Sequence, residues 1–208
     1  MGIGPDSTGQ NTLVVVVKRV LKNIQKHYEP VKVVPLPLSL ADPASVEAIT
    51  RLYRDPEFTL NKKIFSQDRR PTKVVRTPPT LILERRPGED LVKRLRASGI
   101  PVVGLLPVVG VGAWTKHPFG RALGDDYDVP RDDLFGTLLE AHGQKRLIFK
   151  DHALAFTRAL DALRDLFLSG MADSEKVKTG FEGSDLLMIL AQVVWYNEKI
   201  PYQRAYKA

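Results

Sequence analysis

The chain has 208 residues, 43% hydrophobic and 26% charged, which suits one full-sized core of an ordinary globular protein. It has no cysteine, which excludes disulfides, cysteine-ligated zinc and cysteine nucleophiles, and its formal charge of +7 favours an anionic partner, nucleic acid being the commonest. The longest apolar runs, Leu13–Val17 and Ile100–Val109, fall short of the roughly 20 residues of a membrane span, and Met1–Gln10 carries no basic flank or apolar signal core. The expectation is a chain with no membrane role, working in the cytoplasm.

The first element is Thr12–Val20, whose valine run suits a buried strand. Leu21–Pro30 reads as a polar hairpin-like connection to a second strand, Val31–Leu38, where Pro35 and Pro37 demote the far end to an edge or a strand exit. Asp42 is placed to cap a helix and Pro43 to open it, with Val46, Ile49, Leu52 and Tyr53 on one face and Asp55-Pro56 as the stop. Residues 57–79 read as a long basic loop carrying Lys62, Lys63, Arg69, Arg70, Lys73 and Arg76, with a short strand at Lys73–Arg76.

A compact β-α-β unit follows. Thr80–Glu84 is a short buried strand ending on an acid, and Pro87-Gly88 turns the chain. Asp90–Ser98 is helical and closes on Gly99, and Pro101–Leu106 returns as a strand. So short a crossover implies a parallel pair. Residues 107–128, punctuated by Gly110, Gly112, Gly120 and Gly124, read as a flexible Gly-rich loop or hairpin. Pro130 opens a helix through Ala141, Arg146–Phe149 is a short strand and Ala153–Leu168 an amphipathic helix. Ser184–Tyr196 is apolar on every side and so must be largely buried. The alternation is that of an α/β fold, one unit over residues 1–208.

The order places three acids where chemistry can be done. Asp6 precedes the valine run. Glu84 ends a central parallel strand, where open α/β sheets put their sites. Asp185 stands in the first turn of the buried last helix. Three carboxylates drawn from distant parts of a chain suit a two-metal site, because hard divalent cations take oxygen ligands and a pair of them clamps the attacking and leaving oxygens of a phosphodiester. Each acid also has an ordinary structural role: a turn residue for Asp6, a solvated strand end for Glu84, and a carboxylate favoured by the helix dipole for Asp185.

These residues resemble a known pattern across nearly the whole chain. Gly2 to Val16, with Asp6, a glycine-containing turn and a hydrophobic strand, is similar to the opening of the nuclease domain of phage terminase large subunits. Pro79–Glu84 with the helix at Leu91–Ser98 resembles that family's second acidic strand and crossover. Asp128-Val129-Pro130-Arg131 resembles its valine-proline-basic helix start, and Glu182-Gly183-Ser184-Asp185 on an apolar helix its closing acidic motif. The resemblance implies a ribonuclease-H-like mixed sheet flanked by helices and a metal-dependent endonuclease cleaving double-stranded DNA, as in viral genome packaging. Asp6, Glu84 and Asp185 would then be catalytic metal ligands for Mg²⁺ or Mn²⁺ in a two-metal site, with Glu182 a further ligand. The implied partners are DNA and an ATPase motor, portal or small terminase component. The chain itself carries no phosphate-binding loop ending in Lys-Ser/Thr, and Ser184 stands where the family often has a second acid.

Lys62, Lys63, Arg69 and Arg70, with Arg85 and Arg86 beyond Glu84 and Lys116 and Arg121 on the Gly-rich loop, are the expected phosphate contacts. His27, His117, His142 and His152 have no ligand spacing. Asp125, Asp126 and Asp128 read as an acidic turn, and Asp132-Asp133 as a helix start. Three alternatives stay open: a catalytically degenerate module that binds nucleic acid or a packaging partner, a junction-resolving nuclease of the same superfamily, and a structural subunit.

Overall fold

The computed structural model describes residues 1–6, 8–65, 71–109, 112–117, 124–149, 153–168 and 184–200. Its elements in order are β1 (Gly2–Pro5), β2 (Thr12–Lys22), β3 (Gln25–Leu36), α1 (Ala44–Arg54), β4 (Leu60–Phe65), β5 (Pro71–Thr77), β6 (Leu81–Glu84) and α2 (Arg85–Ala97). There follow β7 (Val102–Val108), β8 (Thr115–His117), β9 (Asp126–Pro130), α3 (Arg131–Gly143), α4 (Ala153–Leu168) and α5 (Ser184–Lys199).

Seven strands form one mixed sheet in the order β3-β2-β1-β6-β7-β9-β8. The β3-β2-β1 arm is antiparallel, β1, β6, β7 and β9 run parallel, and β8 closes the far edge antiparallel. The fold is α/β, a mixed sheet flanked by helices, compatible with a ribonuclease-H-like layout. Among the described residues no helix is long and apolar enough to cross a membrane.

Strand alternation divides the core between the two faces. Ile3, Leu81, Leu83 and Val102 join Ile49, Leu91, Val92 and Leu95 beneath α1 and α2. Ile82, Val103 and Leu105 point the other way and pack with α3, α4 and α5. Helix α5 lies between the sheet and α3 and α4, which is why Leu187, Ile189 to Val194 and Trp195 are all buried. Its close seat over β1 depends on two glycines. A Cβ at Gly2 would stand 2.5 Å from Ile189 Cγ2, and one at Gly4 2.8 Å from Ile189 Cγ1. Gly99, at φ +76°, ends α2 as the left-handed residue its position suggests.

Several readings of the sequence are corrected. The hairpin at Leu21–Pro30 is tighter than that span, because β2 and β3 pair from Thr12↔Leu36 to Lys22↔Gln25, with one register shift at Val16/Val17, around a two-residue turn, Asn23-Ile24. The polar ends of this ribbon extend beyond the core, where a strand needs no apolar face. Residues 57–79 are not one loop: β4 and β5 form a separate antiparallel hairpin, Leu60↔Thr77 to Phe65↔Pro71. In the Gly-rich segment 107–128 the hairpin alternative holds, since β8 pairs antiparallel with the start of β9, and the segment also takes in the end of β7. Asp125 precedes β9 and Asp126 and Asp128 belong to it, rather than forming a turn. Tyr127 and Val129 alternate with these acids into the core. At Arg146–Phe149 the strand contracts to one bridge, Tyr28↔Leu147. Pro43 precedes α1, and Asp42 caps it by accepting the Ala44 N–H at 2.8 Å.

Candidate active site

The parallel pairing of β1 with β6 sets Gly2 beside Ile82 and Ile3 beside Leu83. Alternation from Ile82 turns Glu84 to the α5 face of the sheet, and alternation from Gly2 and Gly4 carries Asp6 to the same face one step past the strand end. On α5, Gly2 of β1 faces both Ile189 and Val193, whereas Gly4 faces Ile189 alone and has Glu84 Oε2 close by. The first turn of α5, with Asp185, therefore lies at the edge of the sheet where β1 and β6 end.

Glu84 is the centre of this edge. Burial pushes its carboxyl up to about 7. A hydrogen bond from Gln192 and the charge of Arg131 pull it down, and the charge of Asp185 pushes it further up. Asp185 and Glu84 thus act on one another electrostatically. Gln192, fully buried two turns after Asp185 on the same helix face, donates its Nε2 to Glu84 Oε2 at 3.3 Å.

Asp6 behaves differently. Its carboxylate accepts from Thr8 Oγ1 at 2.9 and 3.0 Å, from the Asn11 N–H at 3.2 Å and from Asn11 Nδ2 at 2.7 Å. These bonds, that of Asn11 foremost, hold it below the ordinary carboxylate range. Asp6 is the organiser of the β1–β2 turn, with its own N–H on the Asn11 carbonyl at 3.0 Å. Among the described residues no three His, Asp or Glu side chains are gathered closely enough to hold a metal ion. Glu84 and Asp185 lie within electrostatic reach of one another, while Asp6 is on the same face but committed to its turn. Glu182 lies outside the described residues.

A cleft of about 420 Å³ opens beside Glu84, lined by Glu84, Arg86, Arg131 and the strand end Leu106–Val109. Of the expected phosphate contacts, Arg86 lines this cleft and is exposed. Arg85 is turned to β9, with Asp128 at 3.5 Å and Asp126 at 3.8 Å. Lys116 pairs with Asp125 at 2.6 Å. Lys62 and Lys63 fall on β4 opposite Val75 and Val74. Arg69, Arg70 and Arg121 lie outside the described residues.

Gln192 escaped the sequence reading, and Arg131 entered it only as part of a helix start. Gln192 had a signal, a lone polar side chain at i+7 from Asp185 inside an apolar helix. Arg131 follows Val129-Pro130 at the start of α3, and nothing local in the sequence says that β9 delivers it to the β6 end.

No protein-family model, curated protein or solved structure matches the chain.

Proposed function

We propose that the chain is a divalent-metal-dependent endonuclease domain acting on double-stranded DNA. One observation supports the reading: the half-buried Glu84 at the C-terminal end of a central parallel strand lies within electrostatic reach of Asp185 at the start of α5. Two carboxylates within electrostatic reach of one another suit a hard cation.

Glu84 and Asp185 would hold Mg²⁺ or Mn²⁺, joined by Asp6 when its carboxylate leaves the turn. The bound metal supplies the charge that activates water and stabilises the leaving oxygen of a phosphodiester. Gln192 orients Glu84 by its hydrogen bond, and burial under α5 keeps water from that side of the carboxyl. Arg86 and Arg131 put positive charge in the adjoining cleft. The resemblance to terminase nucleases supports a genome-packaging setting, with an ATPase motor or portal as partner.

The test is nicking of supercoiled plasmid with Mn²⁺ or Mg²⁺ by the wild type, Glu84→Gln and Asp185→Asn. Nicking by the wild type and its loss in both variants is expected, and equal nicking by all three overturns the reading. One observation favours a second reading, a module that binds nucleic acid without cutting it: all the Asp6 hydrogen bonds named above stay within its own turn. A wild type that retains duplex DNA but never nicks it would select that reading.

A further inference from the structure

Most buried guanidinium groups near the sheet are answered by carboxylates. Arg96 meets Asp126 at 2.6 Å, Arg85 lies between Asp126 and Asp128, and Arg146 pairs with Glu198. Arg131 is different. Its Nε is buried with no hydrogen-bond partner, while its charge reaches Glu84 and its side chain lines the cleft beside that residue. A buried donor left unmade costs free energy, and with this Nε closed to solvent a ligand in the cleft would meet the terminal nitrogens of the Arg131 guanidinium.

The remaining lining suits one kind of ligand. Arg86 adds a second guanidinium from the β6–α2 junction, where its extended backbone (φ −111°, ψ 119°) breaks the helix and leaves the side chain exposed. Leu106 to Val109 form an apolar wall, with Val109 62% exposed. A planar guanidinium fork matches two oxygens of a phosphate, and an apolar wall accepts the sugar or base attached to it. Simple neutralisation of Glu84 accounts for this lining less well, since it leaves the second arginine unexplained.

We infer that Arg131 anchors a backbone phosphate of nucleic acid in this cleft, with Arg86 as the second cation and Leu106–Val109 bearing the adjoining nucleotide. The inference rests on the nucleic-acid reading of the site but not on cleavage, and the two are separated by measuring binding without metal.

The experiment is fluorescence-anisotropy binding of a 5′-labelled DNA duplex to the full chain in EDTA, over a salt series. Arg131→Gln is expected to weaken binding roughly 10-fold or more and to lower the slope of log affinity against log salt by about one. Arg131→Lys keeps the slope and loses less, and Glu84→Gln binds at least as tightly as the wild type. Arg131→Gln with wild-type affinity and slope overturns the inference, as does equal loss in Arg131→Gln and Glu84→Gln. If Arg131→Gln does not fold, judged by circular dichroism and melting, Arg131→Lys decides: loss of the slope there also overturns it. Competition by inorganic phosphate at micromolar concentration would instead assign the cleft to free phosphate and overturn the nucleic-acid inference. Arg131-dependent binding by a wild type that never nicks plasmid upholds this inference and sinks cleavage. Nicking that Arg131→Gln leaves unchanged in kcat/KM does the reverse.

Discussion

Gln192 Nε2 lies 3.3 Å from Glu84 Oε2, so the one fully buried amide of α5 is spent on the one acid that ends β6. The bond holds a carboxyl whose ionised form is otherwise penalised by burial and by Asp185. The site is thus built at some expense to stability, which gives it measurable signatures.

The first is a pH dependence. The Glu84 carboxyl titrates at about 7 when folded against an ordinary 4.5. Between those values the folded chain holds a proton that the unfolded chain has lost, so this group's contribution is fully present below pH 4.5 and is lost as pH rises to 7. The full cost is on the order of 3 kcal/mol. Glu84→Gln, which carries no charge at any pH, is expected to be more stable than the wild type in urea at pH 8 and nearly equal at pH 4.5. The same difference at both pH values would contradict a carboxyl raised by burial.

A bound divalent ion reverses that penalty. Mg²⁺ or Mn²⁺ at millimolar concentration is expected to raise the wild-type Tm at pH 8 by a few degrees, and that of Glu84→Gln and Asp185→Asn much less. Identical shifts in all three would place any metal elsewhere.

The seat of α5 is tested through glycine. Gly4→Ala drives a Cβ into Ile189 Cγ1 and Cδ1, at 2.8 and 3.1 Å, and is expected to cost about 1–3 kcal/mol by overpacking. Adding Ile189→Ala removes those atoms, so the double variant recovers part of that loss in a mutant cycle. Gly2→Ala also meets the Ile189 carbonyl oxygen at 3.0 Å and is not rescued in this way. Additive losses at Gly4 and Ile189 would show that the contact does not limit the helix.

How much of this was legible follows from range. Ala153–Leu168 and the two strands around the crossover form where the sequence puts them, while α2 starts at Arg85, so that Pro87-Gly88 falls within its kinked first turns rather than in a turn before it. Of the hairpin β4–β5 only the strand at Lys73–Arg76 was legible, and β4 and β9 were hidden because their charges outweigh any strand periodicity. Asp126 and Asp128 read as turn acids until Arg96, Arg85 and His117 are seen holding them from other elements. Asp6 has the opposite lesson. Its position on the shared face follows from strand alternation, while its hydrogen bonds to Thr8 and Asn11 are local and answer the ordinary role of a turn aspartate.

The tip of the β2–β3 ribbon stores strain that one substitution should release. Asn23 and Ile24 stand at φ 49° and 72°, the signature of a tight turn whose second residue is usually glycine, and Ile24 is 97% exposed. A β-branched residue is disfavoured there by contacts of its own side chain with the backbone, and an exposed isoleucine gains nothing from burial to offset it. Ile24→Gly is therefore expected to stabilise the chain by about 0.5–1 kcal/mol, the relief of strain outweighing the added freedom of the unfolded chain. A urea melt reads this directly. Ile24→Asn should gain a smaller amount, because asparagine tolerates the left-handed region without removing the Cβ. Destabilisation by both variants would mean that the Ile24 side chain makes a contact that its exposure in the isolated chain hides.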